Sequence, residues 1–223
     1  MILPIVAYGD PVLNKVAEEI DEQYPGLEAL IANMYETMYG AHGVGLAAPQ
    51  IGRSIRLFVV DASPFAEEGE EDYELLKDFK KTFINPIIIE ESGEELGMEE
   101  GCLSIPDVRE TVFRKETVVI EYYNERWELV EEVYNGLAAR VIQHEYDHIE
   151  GTLFTEKIKP LRKKLVKGAL GRIKRGNVNV DYPMKFPKAK WFECIYSPYW
   201  FFGPVKELLS LIHIWRCRRK SRC

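Results

Sequence analysis

With 223 residues the chain is long enough to bury one sizeable core, so one domain is the simplest count. Hydrophobic residues at 46% and charged residues at 29% are the balance of a globular protein in water, and no apolar run approaches the roughly 18 residues that a membrane span needs. A formal net charge of −7 speaks against broad nonspecific nucleic-acid binding but allows a local basic patch.

The opening residues, Met1 to Asp10, carry no basic n-region and too short an apolar run for a signal peptide. Four cysteines without paired spacing argue against a disulfide framework. Together these features predict a cytoplasmic protein in a reducing environment.

In chain order, an extended start at Ile5 leads to Asp10-Pro11, where aspartate caps and proline occupies the first turn of a short helix. Leu27, Leu30, Ile31, Met34 and Met38 recur at three- and four-residue steps. They predict an amphipathic helix ending near Gly40 or Gly43, its stripe turned to the core. His42 to Gln50 follows, with two glycines one residue apart, small Ala47 and Ala48, and the Gln50 amide at the end of a rigid turn. No Gly-Lys-Ser/Thr follows, so this is not a phosphate loop.

Ile55 to Asp61 reads as a buried strand. The acidic stretch from Ala62 to Lys81 reads as a solvated insertion with a short helical piece around Tyr73 to Lys80. Thr82 to Glu90 gives another strand, in which Pro86 predicts an edge or a bulge. Met98 to Pro106 presents Cys102 between a glycine and a proline-bounded turn. Glu116 to Tyr123 and Trp127 to Tyr134 are β-rich runs that predict a hairpin across Asn124-Glu125-Arg126.

Gly136 then precedes a run of good helix formers, Leu137 to Gln143, and Glu150-Gly151 offers a stop. Beyond it, Leu153, Phe154 and Ile158 are apolar, and Pro160 opens a basic helix reaching about Arg172. There is no internal repeat and no interdomain linker. The predicted class is α+β, mostly antiparallel sheets packed around one central helix.

The final stretch reads differently. Leu209 to Arg219 resembles a transposon-end sequencing adaptor translated as protein, and the aromatic-rich Trp191 to Phe202 fits no periodicity. We therefore divide the chain into a catalytic domain at 1–190 and a non-native tail at 191–223. The alternative is an amphipathic or membrane-touching tail. His213, Cys217 and Cys223 are accordingly poor site candidates.

The chemistry concentrates in Gln143-His144-Glu145-Tyr146-Asp147-His148. On a helix, positions i and i+4 share a face about 6 Å apart, so His144 and His148 can reach one metal ion. Glu145 then stands where a general base would touch a water on that ion. The bland alternative is a helix whose two histidines make ordinary hydrogen bonds. A catalytic site of this kind takes three protein ligands and keeps one position open. The extended pattern with a third histidine six residues on is broken here by Phe154. His42, Glu156 and Cys102 remain, and Cys102 is the best choice, because a thiolate binds such metals strongly and a turn can present its sulfur. Most lone cysteines are instead small buried hydrophobes.

Three segments, Gly43 to Gln50, Glu100 to Ser104 and Gln143 to His148, stand in the order and approximate spacing of the motifs of peptide deformylases. The opening Ile2 to Ile5 and Asp10 to Leu13 is also similar, and the resemblance covers about residues 1 to 190. It implies removal of the formyl group from the N-terminal formyl-methionine of nascent polypeptides. It further implies one Fe2+ per chain, with Zn2+ or Ni2+ able to replace it, held by Cys102, His144 and His148. Glu145 would act as base, with Gln50 and the backbone N–H of Leu103 meeting the oxyanion. Val44, Leu137 and Val141 would line the methionine pocket, and Gly45 and Leu103 would pair with the peptide backbone. Arg140 either touches a longer peptide or points to solvent.

The basic stretch 157–175 is either a solvated helix face or, as similar proteins suggest, a dock on the ribosome. Other function classes are a peptidase using the same ligands, a closed structural metal module, for which no good fourth ligand is present, and a degenerate homologue that only binds ribosomes. Intact Glu145, Gln50 and all three ligands argue against the last.

Overall fold

Strand β3, Leu57–Asp61, is apolar along almost its whole length because both of its faces are covered. Phe58 and Val60 pack with Ala138, Ala139, Val141 and Ile142 of helix α3, Gly136–Ile149. Leu57 and Val59 pack on the opposite side with Leu27, Ile31, Met34 and Met38 of helix α1, Leu27–Gly40. A strand buried on two faces reads as a continuous hydrophobic run rather than an alternation. Each large side chain fully buried there contributes roughly 1.5–3 kcal/mol.

These features come from a computed structural model that describes residues 1–69 and 73–187. β3 belongs to a five-stranded antiparallel sheet of order β2-β3-β4-β5-β6. Its other members are β2 (Gly45–Ala47), β4 (Lys80–Cys102), β5 (Ile105–Tyr123) and β6 (Leu129–Asn135). A separate parallel pair joins β1, Ile5–Val6, to β7, Met184–Lys185. Helix α2 (Tyr73–Leu76) precedes β4, and α4 (Phe154–Lys157) and α5 (Pro160–Lys174) follow α3. Val166, Leu170 and Ile173 of α5 close a third core with Val6, Ile105, Val108, Val112, Leu153 and Phe154.

The α+β class, the stripe on α1, the short turn capped by Asp10 and the hairpin before α3 match the expectations. The Asp10 carboxylate accepts from Val12 N–H at 3.1 Å, and the turn it caps is a 3-10 helix at Pro11–Asn14. The proline in β4 sits at a bulge: the register shifts between Ile84 and Ile87, and the Pro86 carbonyl accepts from Arg56 at 2.7 Å.

Two expectations need correction. The acidic insertion is not wholly solvated, because Leu76 and Phe79 enter the core beside Phe83 and Tyr134. The strand expected at Thr82 to Glu90 is longer, because β4 continues to Cys102 and returns as β5 in a long hairpin. Among the described residues, no helix is long and apolar enough to cross a membrane. The non-native reading of 191–223 concerns residues outside those described.

Candidate metal centre

Helix α3 starts where Gly136 takes φ +57 and stops where Gly151 takes φ +70. At Gly151 a Cβ would stand 2.9 Å from the backbone of Asn14, so the chain leaves the helix through a gap only glycine fits. Between these limits the helical repeat sets His144 and His148 on one face, ring centroids 5.2 Å apart.

The third partner comes from the sheet. Cys102 is the last residue of β4 and pairs with Ile105 of β5, which leaves Leu103 and Ser104 as the turn. Its Sγ lies 3.2 Å from His148 Nε2, and the ligand atoms of Cys102, His144 and His148 all fall within 4.8 Å of one another. Neither alternative third ligand approaches the cluster. His42 faces Asp181 at 3.5 Å, and Glu156 serves Asn14 and the Leu153 N–H at 3.3 Å each.

A chain of buried charges holds the imidazoles in place. His144 Nδ1 meets Glu100 Oε2 at 2.9 Å, which leaves its other nitrogen for the cluster. Arg114 grips Glu100 through Nε at 2.7 Å and Nη2 at 2.9 Å, and reaches Asp147 with Nη1 at 2.7 Å. Arg140 does not point to solvent but stands in the wall of the cavity around the cluster. It is buried, donating to Glu100 and the Val112 carbonyl at 3.1 Å each and to the Leu96 carbonyl at 2.6 Å. Burial pushes the Glu100 carboxyl up, but the Arg114 and His144 hydrogen bonds outweigh it and hold it well below the usual carboxylate range.

The same environment tunes the helix. Burial alone would push His144 down, yet the Cys102 sulfur and Glu100 take it up to about 10. Burial and the neighbouring His144 and Arg114 charges drive His148 well below its ordinary value. Burial raises the Glu145 carboxyl to about 7 against the pull of His144. Glu145 Oε2 and His148 Nδ1 are buried without a hydrogen-bond partner. One thiol and two imidazoles form a donor set that fits a divalent cation with an open position, and the unspent Glu145 oxygen lies on the same helix as the two imidazoles. The sulfur and carboxylate that draw a proton to His144 would equally favour that cation.

Around the cluster lies a cavity of about 880 Å³ lined by Val44, Gly45, Leu103, Leu137 and Val141, among others. All five residues expected to bind substrate therefore share one cavity with Cys102 and His144. Gln50 is buried beside it, its Nε2 3.4 Å from Cys102 Sγ and its Oε1 accepting the Ala47 N–H at 2.8 Å. Tyr182 also lines the cavity and donates its hydroxyl to the Leu103 carbonyl at 2.8 Å. No spacing in the sequence ties it to a residue 79 positions earlier.

Residues 2–164 match the family model described as polypeptide deformylase. The chain is 60% identical over 193 residues to the peptide deformylase of Christiangramia forsetii, covering 85% of this chain and 98% of that protein. It is 58% identical over 193 residues to the enzyme of Flavobacterium johnsoniae, again covering 85% and 98%. Among solved structures, the Legionella pneumophila peptide deformylase superposes with a TM-score of 0.67 at 36% identity, covering 78% of this chain and 96% of that one. The Thermotoga maritima enzyme gives 0.63 at 41% identity, covering 72% and 99%. The chain belongs to the polypeptide deformylase family, metal-dependent hydrolases that remove the formyl group from the N-terminal formyl-methionine of nascent polypeptides and release formate.

Proposed function

We propose that Cys102, His144 and His148 hold one metal ion per chain and that Glu145 moves the proton at the reacting centre. The observation that supports this reading is the convergence within 4.8 Å of one sulfur from β4 and two imidazoles from α3, the helix that also carries the unspent Glu145 oxygen. When bound, the ion supplies Lewis acidity that makes water nucleophilic at neutral pH. Fe2+ is the ion we assign, with Zn2+ and Ni2+ also suited to mixed thiolate and imidazole donors.

Glu145 accepts the proton of the attacking water and returns one to the departing amine. The Gln50 amide and the Leu103 backbone N–H meet the charge that develops on the formyl oxygen. One such donor is worth about 3 kcal/mol. Val44, Leu137 and Val141 take the methionine side chain, while Gly45 and Leu103 pair with the peptide backbone. Residues 1–190 make up the catalytic domain, working in the cytoplasm.

We also place the basic stretch 157–175 against the ribosome. Part of it is already committed, since Lys157 pairs with Asp147 and Arg162 with Glu110, each at 2.6 Å. Lys164 and Lys167 are exposed, with no carboxylate partner among the described residues. Neutralising Lys163, Lys164 and Lys167 is expected to abolish salt-sensitive ribosome binding, and binding that survives removes this surface from the proposal.

The site is tested by formate release from formyl-Met-Ala-Ser, with the protein prepared without oxygen and loaded with Fe2+. Rapid release that vanishes in Glu145→Ala at unchanged metal content is the expected result. No release from a protein carrying one metal per chain would overturn the reading.

A further inference from the structure

A two-residue turn closes the β4–β5 hairpin at Leu103 and Ser104, and the carbonyls at its tip need partners from elsewhere in the chain. Both find them. The Ser104 carbonyl accepts the Tyr8 N–H at 2.9 Å, and the Leu103 carbonyl accepts the Tyr182 hydroxyl at 2.8 Å. Tyr8 and Tyr182 flank the β1–β7 pair, which is itself closed by Ile5 N–H to the Pro183 carbonyl at 2.8 Å and Ala7 N–H to the Lys185 carbonyl at 2.9 Å. Two consecutive carbonyls of the turn are thus tied to one clasp. Leu103 is further hemmed in at Gly43, where a Cβ would stand 2.8 Å from Leu103 Cδ1.

We infer that Tyr182 is a positioning residue for the reaction, its hydroxyl holding the turn so that the Leu103 N–H stays aimed at the formyl oxygen. The inference rests on the role proposed above for Leu103. Peptide planes are rigid, so a plane rocks only through paired changes in the dihedrals on either side. Fixing the Leu103 carbonyl therefore restrains the preceding plane, which carries the Leu103 N–H and follows directly on Cys102. The half-buried Tyr182 ring forms cavity wall, and the hydroxyl alone makes the bond. Tyr182→Phe separates the two, because it keeps the wall and removes the donor.

The test uses the full metal-loaded chain, wild type and Y182F, with two readouts. The first is kinetics on formyl-Met-Ala-Ser at measured metal content. The second is hydrogen exchange in the peptide spanning Gly101–Pro106. Losing one neutral hydrogen bond predicts a kcat lower by about two- to tenfold with KM little changed. Exchange at the turn should quicken while that of α3 does not. A kcat within experimental error of wild type, a loss that merely tracks lost metal, or unaltered exchange at the turn would each overturn the inference. No formate from metal-loaded wild type would sink the reading of the site and the inference with it. Formate from wild type with an unaffected Y182F would sink the inference alone.

Discussion

Gly45 and Glu145 are packed so closely that no side chain fits between them. A Cβ built on Gly45 would lie 2.3 Å from Glu145 Oε1 and 2.8 Å from both Cγ and Cδ of the same residue. The carboxylate is buried and cannot swing away freely. Gly45→Ala is therefore expected to displace the base rather than unfold the protein. Overpacking of this kind costs about 1–3 kcal/mol. A displaced base forfeits part of the roughly 10²- to 10⁴-fold that general base catalysis supplies, so kcat should fall. Metal content should hold. Wild-type kcat in a folded G45A would show that the carboxylate has room to move.

Arg114 is the hub that keeps Glu100, and through it His144, in place. Its side chain is 2% exposed. Removing its charge leaves Glu100 to Arg140 and His144, and Asp147 to Lys157; breaking a buried pair costs up to about 3–5 kcal/mol. Arg114→Met should therefore melt well below wild type. Glu100→Gln keeps the volume but weakens the hold on His144, and metal affinity should fall about 10- to 100-fold. Competition with a chelator reads this directly, and an unchanged affinity would mean His144 does not depend on Glu100.

Val141 lies one turn before His144 and lines the same cavity. A carboxylate there opposes burial of a methionine side chain. Val141→Asp should raise KM for formyl-methionyl peptides while metal content stays at one per chain. Unchanged kinetics would take Val141 out of the pocket.

A second carboxylate network, which includes none of the Cys102, His144 and His148 cluster, predicts a pH effect on stability. Burial pushes the Glu132 carboxyl up, but hydrogen bonds from Lys81, Tyr122 and Tyr134 outweigh it and hold it below the usual range. A carboxyl whose folded pKa is depressed adds stability above its unfolded pKa, about 4.3, and loses it as pH falls through the folded value. Glu132→Gln should thus lower Tm at pH 7, and the gap to wild type should close in acid. Melts from pH 7 to pH 3 that keep a constant gap would rule the linkage out.

The ligand helix and the glycine-rich segment were legible in sequence because local spacing fixed them, and Cys102 because thiolate chemistry set it above His42 and Glu156. The β4–β5 hairpin was not. Strand β5 does alternate, but its inward positions include Glu110 and Arg114, which hydropathy scores as surface. They are inside because Arg162 neutralises Glu110, and Glu100 with Asp147 neutralises Arg114. Arg140 escaped assignment for the same reason: a buried ion pair is a property of the folded pair and not of either residue. Tyr182 was out of reach altogether, since its bond to Leu103 joins distant segments through the clasp.

That clasp also orders the events of synthesis. β1 is made well before its partner β7, which lies at 184–185. Synthesis runs from the N-terminus, and a domain generally folds as a unit. The proposed metal ligands at 102, 144 and 148 are therefore made before Tyr182 exists to steady the turn between them. A nascent copy stalled between residues 150 and 180 would carry every ligand and still lack the last wall of its cleft.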